Sequence, residues 1–143
     1  MPDVDQADPQ TTWRALERPE ALLVDVRTRA EWAFVGAPAL DDRAGRIAFI
    51  EWSRFPDSAP NPAFLDELEA ARREAGAREV HFLCRSGGRS LAAARAAAAR
   101  WRDEPEPPRC VNVDEGFEGV LDETGRRGRR NGWKARGLPW RQS

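Results

Sequence analysis

The sequence predicts an α/β layer fold around a mostly parallel β-sheet. Three observations carry that prediction: short apolar runs of strand length, longer stretches with helical spacing, and the alternation of the two along 143 residues. With 41% hydrophobic and 33% charged residues, a chain of this length builds one domain around one core. The domain is read as residues 1–143, its ordered core spanning about 9–141.

Taken in chain order, "PQTTWRALER" (9–18) reads as a short helix and "ALLVDVR" (21–27) as a strand, apolar throughout as a buried parallel strand must be. "TRAEWAFV" (28–35) is a second short helix and "RIAFIEW" (46–52) a further strand. The clearest helix is "NPAFLDELEAARREAG" (61–76), in which Asn61 can cap, Pro62 suits the first position and Gly76 can end the run. Phe64, Leu65, Leu68, Ala71 and Ala75 recur at helical spacing and give it one buried stripe. "EVHFLC" (79–84) and "RCVNVD" (109–114) are strands like the first. Between them lies a helix from about Ser90 to Trp101, nearly all alanine, which favours helicity and lets the backbone approach a sheet closely. Its Arg95 and the nearby Arg102 share a face turned to water. The segments Gly36 to Pro60 and Gly116 to Gly132 are long for connections, and such loops commonly form rims or lids.

Charge excludes several classes of function. The net charge is −1, with Asp3, Asp5 and Asp8 at the start and Arg126, Arg127, Arg129, Arg130, Lys134, Arg136 and Arg141 crowding the end. No interleaving of aromatic and basic residues accompanies that basic end, so nucleic acid is not an expected partner. No apolar run approaches the roughly 18 residues that span a bilayer, and the first residues lack a secretory pattern. A cytoplasmic protein with no membrane partner is expected. Cys84 and Cys110 are too far apart for a Cys-x-x-Cys pair, and with the single histidine, His81, they do not make a four-ligand zinc site. No metal and no cofactor is expected, and the thiols are expected to be reduced.

The chemistry concentrates in "FLCRSGGRS" (82–90), where a strand runs into a glycine-rich turn that opens a helix. Peptide N–H groups at such a turn can converge on one point, and the helix dipole adds positive potential there. A sulfur at that point has its thiolate stabilised. Arg85 and Arg89 add charge, Gly87 and Gly88 allow a tight cradle, and Ser86 and Ser90 add hydroxyl donors. Cys84 is therefore the candidate nucleophile, and the six residues after it are candidates for holding an anionic group. Cys110 lies in a strand without such neighbours and reads as structural. His81 precedes Cys84 by an odd offset along a strand, which turns the two side chains to opposite faces and argues against a cysteine–histidine protease. Asp25 and Arg27 read as a buried charge pair tying strand to loop. Trp133 and Pro139 read as packing elements.

These motifs resemble the single-domain rhodanese-like sulfurtransferases: "LLVDVRTRAEW" is similar to the family's opening strand and helix, "FLCRSGGRS" to its active-site loop, and "NGWKARGLPW" to its closing motif. The resemblance implies a rhodanese-like fold, with about five mostly parallel strands and helices on both faces. It also implies a cysteine, matched by Cys84, that takes a sulfane sulfur from a small anionic donor such as thiosulfate. That cysteine holds the sulfur as a persulfide and passes it to cyanide or a cellular thiol. Arg85, Ser86, Gly87, Gly88, Arg89 and Ser90 match the loop that holds the persulfide and the donor. Two departures stand out. "FVGAPALDD" replaces the Gly-His-Ile run that the family often carries, and "VLDETGRRGRR" (120–130) looks like an insertion. The arginines of that insertion, Arg126, Arg127, Arg129 and Arg130, are expected to form a basic rim near Cys84.

Two alternatives stand beside this reading. Phosphatases and arsenate reductases of related fold also join a cysteine, amides and an arginine around an oxyanion. They typically place five residues between the two, whereas Arg85 to Gly88 make four here. A silent regulatory module is the other alternative, although such copies usually lack the cysteine.

Overall fold

The computed structural model describes residues 4–142. Five strands, β1 (Asp5–Ala7), β2 (Ala21–Asp25), β4 (Arg46–Phe49), β5 (Glu79–Leu83) and β6 (Arg109–Val113), form one sheet in the order β1-β6-β5-β2-β4. Every pairing in it is parallel. Four helices connect or flank these strands: α1 (Pro9–Ala15), α2 (Arg29–Phe34), α3 (Phe64–Ala75) and α4 (Gly88–Trp101). A two-stranded antiparallel ribbon of β3 (Ala37–Pro38) and β7 (Trp140–Arg141) ties the start of the 36–60 segment to residues 140–141.

The apolar strands are explained by burial on both faces. β2 and β5 are buried at every position, and successive side chains feed opposite cores. Leu22, Val24, Val80 and Phe82 pack with Phe64 and Leu68 of α3 and Ala93, Ala94, Ala97 and Trp101 of α4. Leu23, Leu83 and Val113 pack on the other side with Leu16, Phe117 and Trp133. The alanines allow α4 to lie close against the sheet. Full burial of a side chain such as Leu68 stabilises the fold by roughly 1.5–3 kcal/mol.

The structure corrects the sequence reading at several places. The sheet begins at Asp5, ahead of residue 9, because Asp5, Gln6 and Ala7 pair with Val111, Asn112 and Val113. Three exposed or half-buried residues carry no apolar pattern to announce a strand. Asn61 is not the cap of α3, which starts after Ala63 with no side-chain cap. Its side-chain amide instead donates to the Glu51 carbonyl at 2.8 Å, while its oxygen accepts from the Ala63 amide at 3.1 Å. Gly76 does end the helix, in the left-handed region at φ 61°. The alanine helix starts two residues earlier than read, at Gly88. Arg95 and Arg102 are exposed, as expected. Among the described residues, no helix is long and apolar enough to cross a membrane.

Candidate active-site loop

β5 is the middle strand of the five, and the chain leaves its carboxyl end at Cys84, where parallel sheets collect their sites. Gly87 then turns the chain into α4 with φ at 109°, a conformation that side-chain-bearing residues rarely adopt. That turn aims the Gly87 amide back at the sulfur: Gly87 N–H donates to Cys84 Sγ at 3.1 Å. Ser90, one turn into the helix, places its Oγ 3.2 Å from the same sulfur. Cys84 is 1% exposed, yet its sulfur lies against polar donors rather than hydrocarbon alone.

The other predicted loop residues divide. The peptide N–H groups of Arg85, Ser86, Gly88 and Arg89 donate to no acceptor among the described residues, leaving four donors at the helix start. The Arg85 side chain is exposed and makes no ion pair there. Ser86 is half-buried, and its hydroxyl makes no hydrogen bond within the described residues. Gly88 faces open space, so its lack of a side chain relieves no clash.

Arg89 differs from expectation. Its guanidinium grips Glu31 of α2 at 2.7 and 2.8 Å, so much of its charge is neutralised before it reaches the sulfur. Glu31 is in turn the third helical residue of α2 and closes a capping box with Thr28. Burial would raise the Glu31 carboxyl, but the hydrogen bonds and charge of Arg89, aided by Thr28, hold it down at about 2. Donating its hydrogen bonds to Glu31 likewise raises Arg89 above its ordinary value, with the charges of Glu31, Cys84 and Asp25 adding to it.

The loop's backbone is held from the far side by the segment after β6. Phe117 N–H donates to the Cys84 carbonyl at 2.8 Å, and Glu118 and Gly119 N–H donate to the Arg85 carbonyl at 2.9 and 3.2 Å. Gly116 makes that approach feasible: at φ 70°, a Cβ there would sit 2.5 Å from the Arg85 carbonyl oxygen. Beside it, Asp25 and Arg27 are wholly buried and paired at 2.7 Å. The Arg27 guanidinium also donates to the Gly36 carbonyl and lies 4.2 Å from the centre of the Phe117 ring. Trp133 is buried against Trp13 and donates to the Pro139 carbonyl at 2.7 Å.

The two residues read as structural have structural partners. His81 sits between Thr12 Oγ1 at 2.8 Å and Glu79 Oε1 at 2.7 Å, within the protein and away from Cys84. Burial pushes the Cys110 thiol up to about 12. Among the described residues, no three His, Cys, Asp or Glu side chains gather as a metal site requires.

Over the loop opens a groove of about 610 Å³ whose walls include Arg54, Phe55, Arg85, Arg89, Leu121 and Arg127. The expected basic rim is thus narrower than four arginines. Arg127 lines the groove, anchored to the Gly119 carbonyl at 2.7 Å, whereas Arg130 pairs with Glu123 at 2.8 Å and Arg129 stands 4.0 Å from Asp122. Sequence reasoning missed the roles of Glu31, Asn112 and Gly116, whereas the 36–60 segment, read as a rim or lid, does supply Arg54 and Phe55 to the groove wall. Glu31 was signalled by the Thr28-x-x-Glu31 capping pattern, and Asn112 by an amide inside an apolar strand.

The fold is thus an α/β domain whose central strand of a parallel sheet delivers a cysteine to a glycine-turned helix start. Comparison narrows the class: the rhodanese-like domain model matches residues 8–123, and the chain belongs to that family. It is 35% identical over 122 residues to the uncharacterized protein RC0915 of Rickettsia conorii, covering 84% of this chain and 82% of that one. RP600 of Rickettsia prowazekii is 35% identical over 120 residues. The crystal structure of Rv0390 from M. tuberculosis matches with a TM-score of 0.81 at 42% identity, over 98% of each chain. The family match ends inside the 120–130 segment, whereas the likeness to Rv0390 runs through nearly the whole chain.

Proposed function

We propose that the protein is a sulfurtransferase that carries sulfur on Cys84. The observation that supports this most is the sulfur's setting, with the Gly87 amide at 3.1 Å and further unclaimed amides in the same loop at the start of a 14-residue helix. In the reaction proposed, the Cys84 thiolate attacks the outer sulfur of thiosulfate. A Cys84 Sγ–S bond forms as the donor's S–S bond breaks, and sulfite leaves with that electron pair. The outer sulfur then carries negative charge, and the free amides of the loop are the donors available to it. An acceptor thiolate or cyanide attacks the outer sulfur, and Cys84 leaves as a thiolate. Arg54, Arg85 and Arg127 in the groove wall favour an anionic donor.

Arg89 speaks against a phosphatase. An oxyanion cradle uses its arginine on two oxygens of the substrate, but this one is occupied by both oxygens of Glu31. Retention of Cys84 with an amide aimed at it speaks against a silent module. The test is intact-mass measurement after incubation with thiosulfate. The wild-type chain is expected to gain one sulfur atom and Cys84→Ser none; equal behaviour of the two overturns the reading.

A further inference from the structure

Ser90 is wholly buried, and its hydroxyl has one proton for three acceptors. Asn112 Oδ1 of β6 is 2.6 Å from Oγ, the Gly87 carbonyl 3.2 Å, and Cys84 Sγ 3.2 Å. The orientation of the Asn112 amide is fixed by its other end. Nδ2 faces the Gly87 carbonyl at 3.3 Å, an acceptor that admits only a donor, and the Gln6 side-chain oxygen of β1 at 3.0 Å. Oδ1 therefore points at Ser90 and can only accept, so at 2.6 Å the hydroxyl proton belongs to Asn112.

That arrangement suits a protonated sulfur, because a thiol can donate to Ser90 Oγ while Ser90 donates to Asn112. It does not suit a thiolate. When the Cys84 proton leaves to water, the charged sulfur needs the Ser90 proton, and taking it strands a buried asparagine oxygen. In the persulfide the charge moves to the outer sulfur, Sγ is no longer an anion, and the bond to Asn112 can be restored.

We infer that Asn112 is a positioning residue that competes with the Cys84 thiolate for the Ser90 proton, favouring the protonated and sulfur-loaded states over the free thiolate. The loaded half rests on the sulfurtransferase reading; the competition itself does not. Other charges face the loop from every side: Arg85 and Arg89 within it, Glu31 on α2, Asp25 and Arg27 at the end of β2, Asp114 after β6, and Arg54, Glu118 and Arg127 in the groove wall. None of them changes in the variants below, so their field is common to all.

The test is the rate of Cys84 alkylation by iodoacetamide against pH, in the full chain carrying Cys110→Ala. Ser90→Ala removes the donor and is expected to move the rise in rate to higher pH, with a loss of about tenfold below it. Asn112→Leu removes the competing acceptor and is expected to move the rise to lower pH, with a gain of roughly two- to tenfold. The double variant should match Ser90→Ala alone, since without the hydroxyl there is nothing to compete for. Should Asn112→Leu fail to fold, Asn112→Ala withdraws the same acceptor and carries the same expected sign. A shift in the same direction for Ser90 and Asn112 variants, or an Asn112 effect that persists without the hydroxyl, overturns the inference. Because alkylation needs no sulfur donor, opposite signs here alongside no mass gain with thiosulfate would remove the sulfurtransferase reading alone.

Discussion

Cys84 and Cys110 are buried to nearly the same degree, 1% and 3% exposed, on neighbouring strands of one sheet. Both border the core that packs under α3 and α4, but their polar surroundings differ. Cys110 lies near the amino end of β6, where its thiol donates to the Pro108 carbonyl at 3.9 Å. Cys84 leaves β5 at the carboxyl edge, where a helix begins and an amide and a hydroxyl reach the sulfur. The contrast teaches that burial alone does not describe the setting of a thiol. Which end of a parallel strand it occupies also matters, since a helix start at the carboxyl end brings a peptide N–H to the sulfur.

The largest expected effect tests that contrast directly. In the native protein at neutral pH, alkylation followed by peptide mass mapping is expected at Cys84 alone, with Cys110 reacting only after unfolding; equal labelling of both would break the comparison. Cys110→Ala should leave sulfur loading intact at a stability cost of about 1 kcal/mol.

Next comes the support beneath the loop. Gly116→Ala forces a side chain onto a left-handed backbone and against the Arg85 carbonyl, with an expected cost of roughly 2–4 kcal/mol in urea unfolding and a sharp loss of sulfur loading. Gly88→Ala, in open space, is the control expected to retain stability.

The Glu31–Arg89 clamp gives a smaller, pH-dependent effect. The Glu31 carboxyl is held down at about 2 in the folded chain against an ordinary value of 4.5, so its contribution is fully present above 4.5 and is lost as pH falls through about 2. Wild type should exceed Glu31→Gln by on the order of 2–3 kcal/mol at pH 7, and the gap should close steadily below pH 4.5. A gap independent of pH would show that the charge is not its source.

The smallest effect separates the insertion's arginines. Arg127→Gln should raise the thiosulfate concentration for half-maximal loading by roughly threefold and flatten its salt dependence. Arg130→Gln, paired away from the groove, should change neither. Matching effects would restore the broad rim in place of the narrow one.

The parallel sheet was legible because its central strands are buried on both faces and read as continuous apolar runs. The Cys84 turn was legible because two glycines, two arginines and two serines follow one another without interruption. Contacts between distant segments were not. The Arg89 fork could be read as a free charge from the loop alone, since its partner lies 58 residues earlier on α2. β1 escaped notice because an edge strand of three residues is recruited by the backbone of β6 and not by its own side chains. Ala63 displaced Asn61 as the start of α3, and the asparagine's oxygen accepts from the Ala63 N–H within the preceding turn while its Nδ2 donates to Glu51 across the loop.

That short edge strand reaches further than its size suggests. Held along one side only and just three residues long, β1 is an edge of the sheet that opens at low cost, and Gln6 leaves with it. Asn112 then loses one of the two anchors that orient it. Opening of this outermost ribbon would thus be felt, through a single glutamine, at Asn112 and the Ser90 hydroxyl beside the Cys84 sulfur.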